Sequence, residues 1–308
     1  MASADNRRLV NAVLTNIARG YKDPAFIGLE IAPLVPCEKL KNTYAVYGME
    51  DFRLPGIDRS PTGSTAKMDV SNDKGDLTLR EKAIAIRVPW EDNEEATLPV
   101  QPKLRAPRTA MKVIFRTHEK DVADKVFAAA TYPTGSKVAL TGNDRWDAAH
   151  DDSDPIGDIA TGRAKVASLI GIEPNVMGIG QEVYEALKQH TKILARMANT
   201  SDKVVTTDLL ARVFEVEKVL VGRALYTADD TTLTRIWGKH CGLWYVPTQQ
   251  NASDGEPAFA YTFHRSGYPQ TDEWSDRDST CDFFRTRHKY VVEVTGAAAG
   301  YFIQDVVS

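Results

Sequence analysis

A chain of 308 residues, 43% of them hydrophobic and 26% charged, holds enough apolar material for one large domain or two ordinary ones, and this composition excludes disorder throughout. The formal net charge of −4 argues against a dedicated nucleic-acid binder but leaves room for a local basic face. The three cysteines, Cys37, Cys241 and Cys281, are odd in number and lack C-x-x-C spacing, which argues against a disulfide framework or zinc site and favours a reducing, intracellular origin.

The N-terminus carries Arg7 and Arg8 but no apolar h-region, and no run approaches the roughly 18 apolar residues of a membrane span, so neither signal-directed secretion nor membrane embedding is expected. Leu9, Val10, Val13, Leu14 and Ile17 recur at helical spacing. Beyond them Pro24, Pro33 and Pro36 interrupt an apolar stretch that reads as an arm laid across another surface. Residues 41–52 and 76–90 both read as strands, the second through the alternation of Leu77 and Leu79, then Ile84, Ile86 and Val88. Between them lie Leu54-Pro55-Gly56 and Ser60-Pro61-Thr62-Gly63-Ser64. A two-stranded ribbon of this length is marginal alone in water, because neither strand has a second layer over its apolar face. Neighbouring copies of the same chain are the expected cover.

Pro99, Pro102 and Pro107 predict a linker, followed by a helix over 109–130 in which Met111, Phe115, His118, Val122, Val126 and Ala129 form one stripe. From 101 to 127 there are seven cations (Lys103, Arg105, Arg108, Lys112, Arg116, Lys120, Lys125) against Glu119, Asp121 and Asp124, a net of +4. An ordinary solvated helix surface explains such a run, and so does weak, sequence-independent contact with phosphates. Residues 151–250 read as α/β. Asp154-Pro155 opens a helix that Gly171 ends; a short strand at 174–180 feeds a helix over 181–190; Thr206-Thr207-Asp208 caps another; strands follow at 219–226 and 243–246. The last fifty or so residues return to β at 258–264, 289–295 and 301–307, with a polar loop through Trp274 to Cys281 and a hairpin-length link at 296–300.

Chemistry-bearing patterns are weak. Gly178-Ile179-Gly180 lacks the third glycine of a dinucleotide fingerprint and the Gly-Lys-Ser/Thr of a P-loop, so a tight strand-to-helix turn accounts for it. Asp151, Asp152 and Asp154 lack EF-hand spacing and fit helix capping. The six histidines include no H-E-x-x-H run, and His118 sits on the apolar stripe as a core residue. No nucleophile elbow is present. No catalytic residue, cofactor or metal is expected.

The order of these elements, and above all the run from Asp154-Pro155-Ile156 through Gly171-Ile172-Glu173-Pro174-Asn175-Val176-Met177-Gly178-Ile179-Gly180 to Val183, Tyr184 and Leu187, resembles the major capsid proteins of tailed bacteriophages, which have the HK-ninety-seven-like fold. The resemblance implies an α+β capsid fold: N-terminal arm 1–40, extended β-hairpin loop 41–90, peripheral domain 91–150 with its spine helix, axial α/β domain 151–250, and a return to the peripheral sheet over 251–308. It implies a structural head protein that self-assembles into hexamers and pentamers of an icosahedral shell around double-stranded DNA, in the virion, after assembly in the bacterial host cytoplasm. The spine helix, interior in relatives, would present Arg108, Lys112, Arg116, Lys120 and Lys125 to packaged DNA without reading sequence. Scaffold, portal and decoration proteins are the further partners implied. No long N-terminal scaffolding segment is present, so a separate scaffold, or none, is expected; no position matches the family's Lys–Asn isopeptide pair, so no crosslink is expected. Two other readings remain open: a different phage virion assembly protein, and an α/β enzyme with a nucleotide-type site near Gly178–Gly180.

Overall fold

The computed structural model describes residues 11–19, 23–46, 73–94, 101–147, 153–197, 204–247 and 258–308. The described part of the N-terminal stretch, 11–19 and 23–37, lies on the chain's own body, where the sequence reads as an arm laid across another surface. Helix α1 (Ala12–Arg19) starts where Asn11 Oδ1 accepts from the N–H groups of Val13 and Leu14. Arg19 then donates to the carbonyls of Gly267 and Pro269, and Thr15 Oγ1 accepts from the Thr271 N–H. After the short helix α2 (Gly28–Ile31), strand β1 (Leu34–Cys37) pairs in parallel with residues 262–265. Ile27, Ile31 and Ala32 find their cover in the main core, which is why this stretch need not reach elsewhere.

Strands β2 (Lys41–Val46) and β3 (Asp73–Thr78) form the expected ribbon, in antiparallel register from Lys41↔Thr78 to Val46↔Asp73. The loop between them lies outside the described residues. The ribbon is shorter than expected at its other end. Strand β4 (Arg80–Pro89) leaves it and pairs for ten residues with a strand of the body, from Arg80↔Tyr290 to Pro89↔Cys281. The ribbon base also has intrachain cover, since Leu77 and Leu79 are buried against Tyr261 and Phe263.

Helix α3 (Trp90–Glu94) precedes the long helix α4 (Pro102–Val126). Beneath α4 lies a five-stranded sheet of β1, β4, β11 (Ala260–Arg265), β12 (Gln270–Asp276) and β13 (Cys281–Val294). Alternation along β13 sets its two faces: Phe284, Thr286, His288, Tyr290 and Val292 are buried, while Phe283, Arg285, Arg287 and Lys289 are half-buried on the opposite face. Strand β12 occupies what the sequence presents as a polar loop. Its Asp272 is fully buried and pairs across the sheet with Arg285 at 2.7 Å and Arg287 at 3.3 Å, so cross-strand charge pairs replace apolar alternation.

A second sheet has the order β5 (Lys137–Ala139), β14 (Gly300–Gln304), β10 (Cys241–Trp244), β6 (Val176–Gly180), β7 (Lys218–Gly222). Around it stand α5 (Pro155–Ile170), α6 (Gln181–Gln189), α7 (Thr191–Met197) and α8 (Thr207–Phe214), with a small hairpin of β8 (Leu225–Tyr226) and β9 (Thr234–Arg235). Gly171 ends α5 at φ 71°, and Thr206 Oγ1 caps α8 by accepting from the Leu209 N–H. Asp154 holds the N-cap position of α5, but its side chain makes no cap hydrogen bond. The hairpin expected of the last two strands is not formed. A short turn at 297–299 carries the chain from β13 into the other sheet, where Tyr301 packs against Gly162 of α5 so closely that a Cβ there would stand 2.7 Å from its ring.

One carboxylate joins these parts. Glu119 of α4 is 1% exposed; its Oε1 accepts from the Ile27 N–H (2.8 Å) and the Trp237 indole (2.7 Å), and its Oε2 from the Gly28 N–H (2.8 Å). Burial pushes this carboxyl above its ordinary range, against the pull of the three donated bonds. Beside it runs a row of rings between α4 and the sheet. His118 touches Tyr290 (5.2 Å between centroids), Tyr290 touches His288 (5.3 Å), and His288 touches His264 (5.9 Å). His118 Nε2 donates to Thr262 Oγ1, which itself donates to the Ala32 carbonyl. Burial, with Lys82 close by, holds His118 down to about 4; burial and its two neighbouring histidines hold His288 down to about 3.

Glu119→Ala would strip the acceptor from three buried donors, and a loss of roughly 3–5 kcal/mol is expected in denaturant unfolding, with Glu119→Gln losing less. Acid sensitivity follows from the histidines. Their folded pKa values lie below the unfolded value, so the unfolded chain takes up protons first. Stability is therefore full above about pH 6.5 and falls as the pH drops toward 4 and 3, by about 1.4 kcal/mol per unit of depression. Protonation of Glu119, whose pKa is raised, works in the opposite sense. Unfolding midpoints across this range should fall with pH, and His288→Leu should flatten the fall; a slope unchanged in that variant would remove His288 from the account.

Candidate nucleic-acid and assembly interface

Helix α4 begins seven residues earlier than its periodicity predicts and ends four earlier, with Pro102 at its first turn and Pro107 inside it. Met111, His118, Val122 and Val126 are buried as expected, joined by Ile114, while Phe115 is only half-buried and Ala129 lies beyond the helix.

The five basic positions do not share one environment. Arg108 and Lys112, one turn apart, are exposed and have no ion-pair partner among the described residues. Arg116 is half-buried on the same flank. Lys120 is held by Asp124 at 2.6 Å, a contact that raises its pKa, and its Nζ stands 5.4 Å from the centre of the Tyr226 ring. Lys125 lies on the other side of the helix by its spacing and pairs with Glu293 of β13 at 3.0 Å. Lys103 is likewise paired, with Asp282 at 3.1 Å. Of the seven cations from 101 to 127, then, three are held by carboxylates of the same chain. Arg105, exposed one turn before Arg108, belongs with the uncommitted stripe, and its i, i+3 spacing to Arg108 was the sequence signal for it.

Gly178 and Gly180 form no ligand cradle. A Cβ on Gly178 would stand 2.4 Å from the Trp244 ring, and one on Gly180 would stand within bonding distance of the Gly238 carbonyl oxygen, so side chain and backbone already fill the space beside β6. Ser153 and His190 are hydrogen-bonded at 3.1 Å, but both are buried. Among the described residues no group of three or more His, Cys, Asp or Glu side chains could hold a metal ion, and no helix is long and apolar enough to cross a membrane.

Comparison with known proteins agrees with this geometry. The family model described as phage major capsid protein E matches residues 130–250. The chain is 33% identical over 311 aligned residues, covering 99% of both sequences, to the major capsid protein of Burkholderia phage BcepMu. Its fold matches the crystal structure of a phage-related protein from Bordetella bronchiseptica RB50 with a TM-score of 0.82 and 28% identity, over 97% of this chain and 98% of the other. A capsid structure of cyanophage P-SCSP1u shares the fold at a TM-score of 0.60 and 9% identity, over 89% and 86% of the two chains. With an α+β fold of the HK-ninety-seven type and a full-length relative at this identity, the chain belongs to the family of phage major capsid proteins.

Proposed function

We propose that this chain is the repeating subunit of an icosahedral phage head, assembling through hexamers and pentamers into a shell that encloses double-stranded DNA. Its role is structural rather than catalytic. The observation that carries this reading is the match to a phage major capsid protein over 99% of both sequences. In the proposed division of labour, residues 1–40 form the arm, 41–90 the extended loop, 91–150 and 251–308 the peripheral part and 151–250 the axial part. Residues 47–72, between the two strands of the ribbon, are proposed to reach a neighbouring copy. Assembly in the bacterial cytoplasm, with scaffold, portal and decoration proteins as partners, completes the reading.

The DNA-facing set is Arg108, Lys112, Arg116, Lys120 and Lys125, with Arg108 and Lys112 as its effective members because Lys120 and Lys125 already face carboxylates. Contact is with phosphates and carries no sequence information.

Electron microscopy of the expressed protein should show capsomers or closed particles. Replacing residues 47–72 with a Gly-rich turn should leave the body folded, since the Val46↔Asp73 register survives, but should stop shell formation. Normal particles from that variant would dismiss the proposed reach. Charge reversal at Arg108 and Lys112 together should lower the slope of log K against log salt for duplex binding by about two, whereas reversal at Lys125 should leave it nearly unchanged.

A further inference from the structure

The first sheet shields two of its open edges and leaves a third bare. Strand β1 is only four residues long. Along β12 the edge is met by α1, where the Asn11 N–H donates to the Thr271 carbonyl and the Thr271 N–H donates to Thr15 Oγ1. Strand β4 has neither device. It is ten residues long, pairs with β13 along one side without a break, and has no strand on its other side among the described residues. Its proline stands at the last position, so neither a ring nor a bulge interrupts the row of N–H and C=O groups that faces outward. Lys82, whose charge could blunt the edge, is held by Asp121 at 3.0 Å. On the sheet face away from α4, Glu81, Ala83, Ala85 and Arg87 are all exposed, the small side chains in the middle and opposite charges at the two ends.

Such an edge accepts a further strand, and the order of its charges selects which one. In an antiparallel ladder the backbone groups of successive residues point to alternate sides, so the outward groups of β4 belong to every second residue. Two copies of β4 can therefore pair only in registers that set one residue opposite itself. With Ala83 on the axis, Glu81 meets Ala85; with Ala85 on the axis, Arg87 meets Ala83. With Ile84 on the axis, Glu81 of each copy meets Arg87 of the other, and Ala83 meets Ala85. We propose that β4 is a self-complementary edge that pairs in this last register with β4 of a second copy, across a twofold axis. Arg87 has no ion-pair partner among the described residues. Glu81 is held by Lys289 at 2.9 Å through Oε2, which leaves its other oxygen open. On the opposite face Arg80 and Lys82 would lay their stems beside Val88 and Ile86 of the second copy. A contact of this kind is closed by its own symmetry and cannot build a ring, so in the shell proposed above it would join two capsomers rather than the subunits within one.

Two measurements on the full-length protein test this pairing. Glu81→Arg and Arg87→Glu each set like charges opposite one another at both ends of the contact, and in sedimentation velocity either should raise the dissociation constant for pairing by about tenfold. An equimolar mixture of the two variants regains both opposite-charge contacts and should recover the original value. Ala83→Cys mixed with Ala85→Cys should give a disulfide-linked dimer under copper–phenanthroline oxidation. Either variant alone should not, since its cysteines would stand diagonally, about 7–8 Å apart, and the unmodified chain controls for Cys37. Thermal unfolding checks the fold of every variant; should Glu81→Arg unfold for want of its bond to Lys289, the cysteine experiment decides alone. No linkage in the cysteine mixture, equal linkage in one cysteine variant by itself, or no recovery when the folded charge variants are mixed would overturn the proposal. The pairing needs only two copies of the chain, so micrographs without particles would end the shell reading and leave the pairing in place.

Discussion

The fold depends on a charge placed where charge is costly. Glu119 stands in the middle of α4, surrounded by core, and a carboxylate in that position is tolerable only if its oxygens are met by donors. The donors come from segments more than ninety residues away on either side: the N–H groups of Ile27 and Gly28, and the indole of Trp237. Three separate stretches of chain are therefore fixed at one point, with little tolerance in distance or angle. An apolar residue at 119 could supply packing but would leave two backbone donors and an indole unpaired, so the carboxylate specifies an arrangement that hydrophobic contact alone would leave loose.

Around this point the two sheets share a continuous core. Trp244 donates to the Tyr132 hydroxyl, which donates in turn to the Val126 carbonyl at the end of α4, so the second sheet is tied to the helix that covers the first. The aromatic stack of Tyr132, Phe259 and Phe302 fills the space between, and the small residues of β6 and β10 let Trp244 lie flat against the sheet. This is why β14 crosses over instead of forming a hairpin with β13: Phe302 and Tyr301 have better cover beside Tyr132 and α5 than at the edge of the first sheet. Among the described residues the ribbon is held by Leu77 and Leu79 on Tyr261 and Phe263, and by the Tyr44 ring, 5.8 Å from that of Phe263.

Elements stabilised by near neighbours in sequence were legible in the sequence. The stripe of α4, the Pro155 start and Gly171 stop of α5, and the Thr206 cap of α8 all depend on residues within a few positions of one another. What was hidden depends on distant partners. Strand β12 reads as a polar loop because Asp272 gains its stability from Arg285 and Arg287 across the sheet. The first turns of α4 were hidden by Pro107, which reads as a helix breaker. Its ring removes a bond only to the carbonyl of Lys103, in the exposed first turn where water can take the place of the missing donor. In the basic face, charge count alone could not separate Lys125 from Arg108. The difference is Glu293, which lies 168 residues further along the chain than Lys125.

That separation bears on how a shell protein can hold a polyanion at all. In the proposed DNA-facing role each phosphate contact would release about one counterion, so a subunit with four uncommitted cations would bind DNA weakly, and more weakly as salt rises. Repetition over a closed surface would turn weak contacts into retention, because every copy would face the same polymer and leaving would require all contacts to open together. A denser patch on each subunit would have the opposite effect during assembly, fixing single chains on any nucleic acid they met before they found one another. Pairing Lys103, Lys120 and Lys125 with acids of the same chain would keep the subunit below that limit in the proposed role, and the overall net charge of −4 would act in the same direction. The stripe left over, Arg105, Arg108, Lys112 and Arg116, sits on a helix that Glu119 and the ring row hold rigidly to its sheet, so in each copy it is presented at the same height and angle.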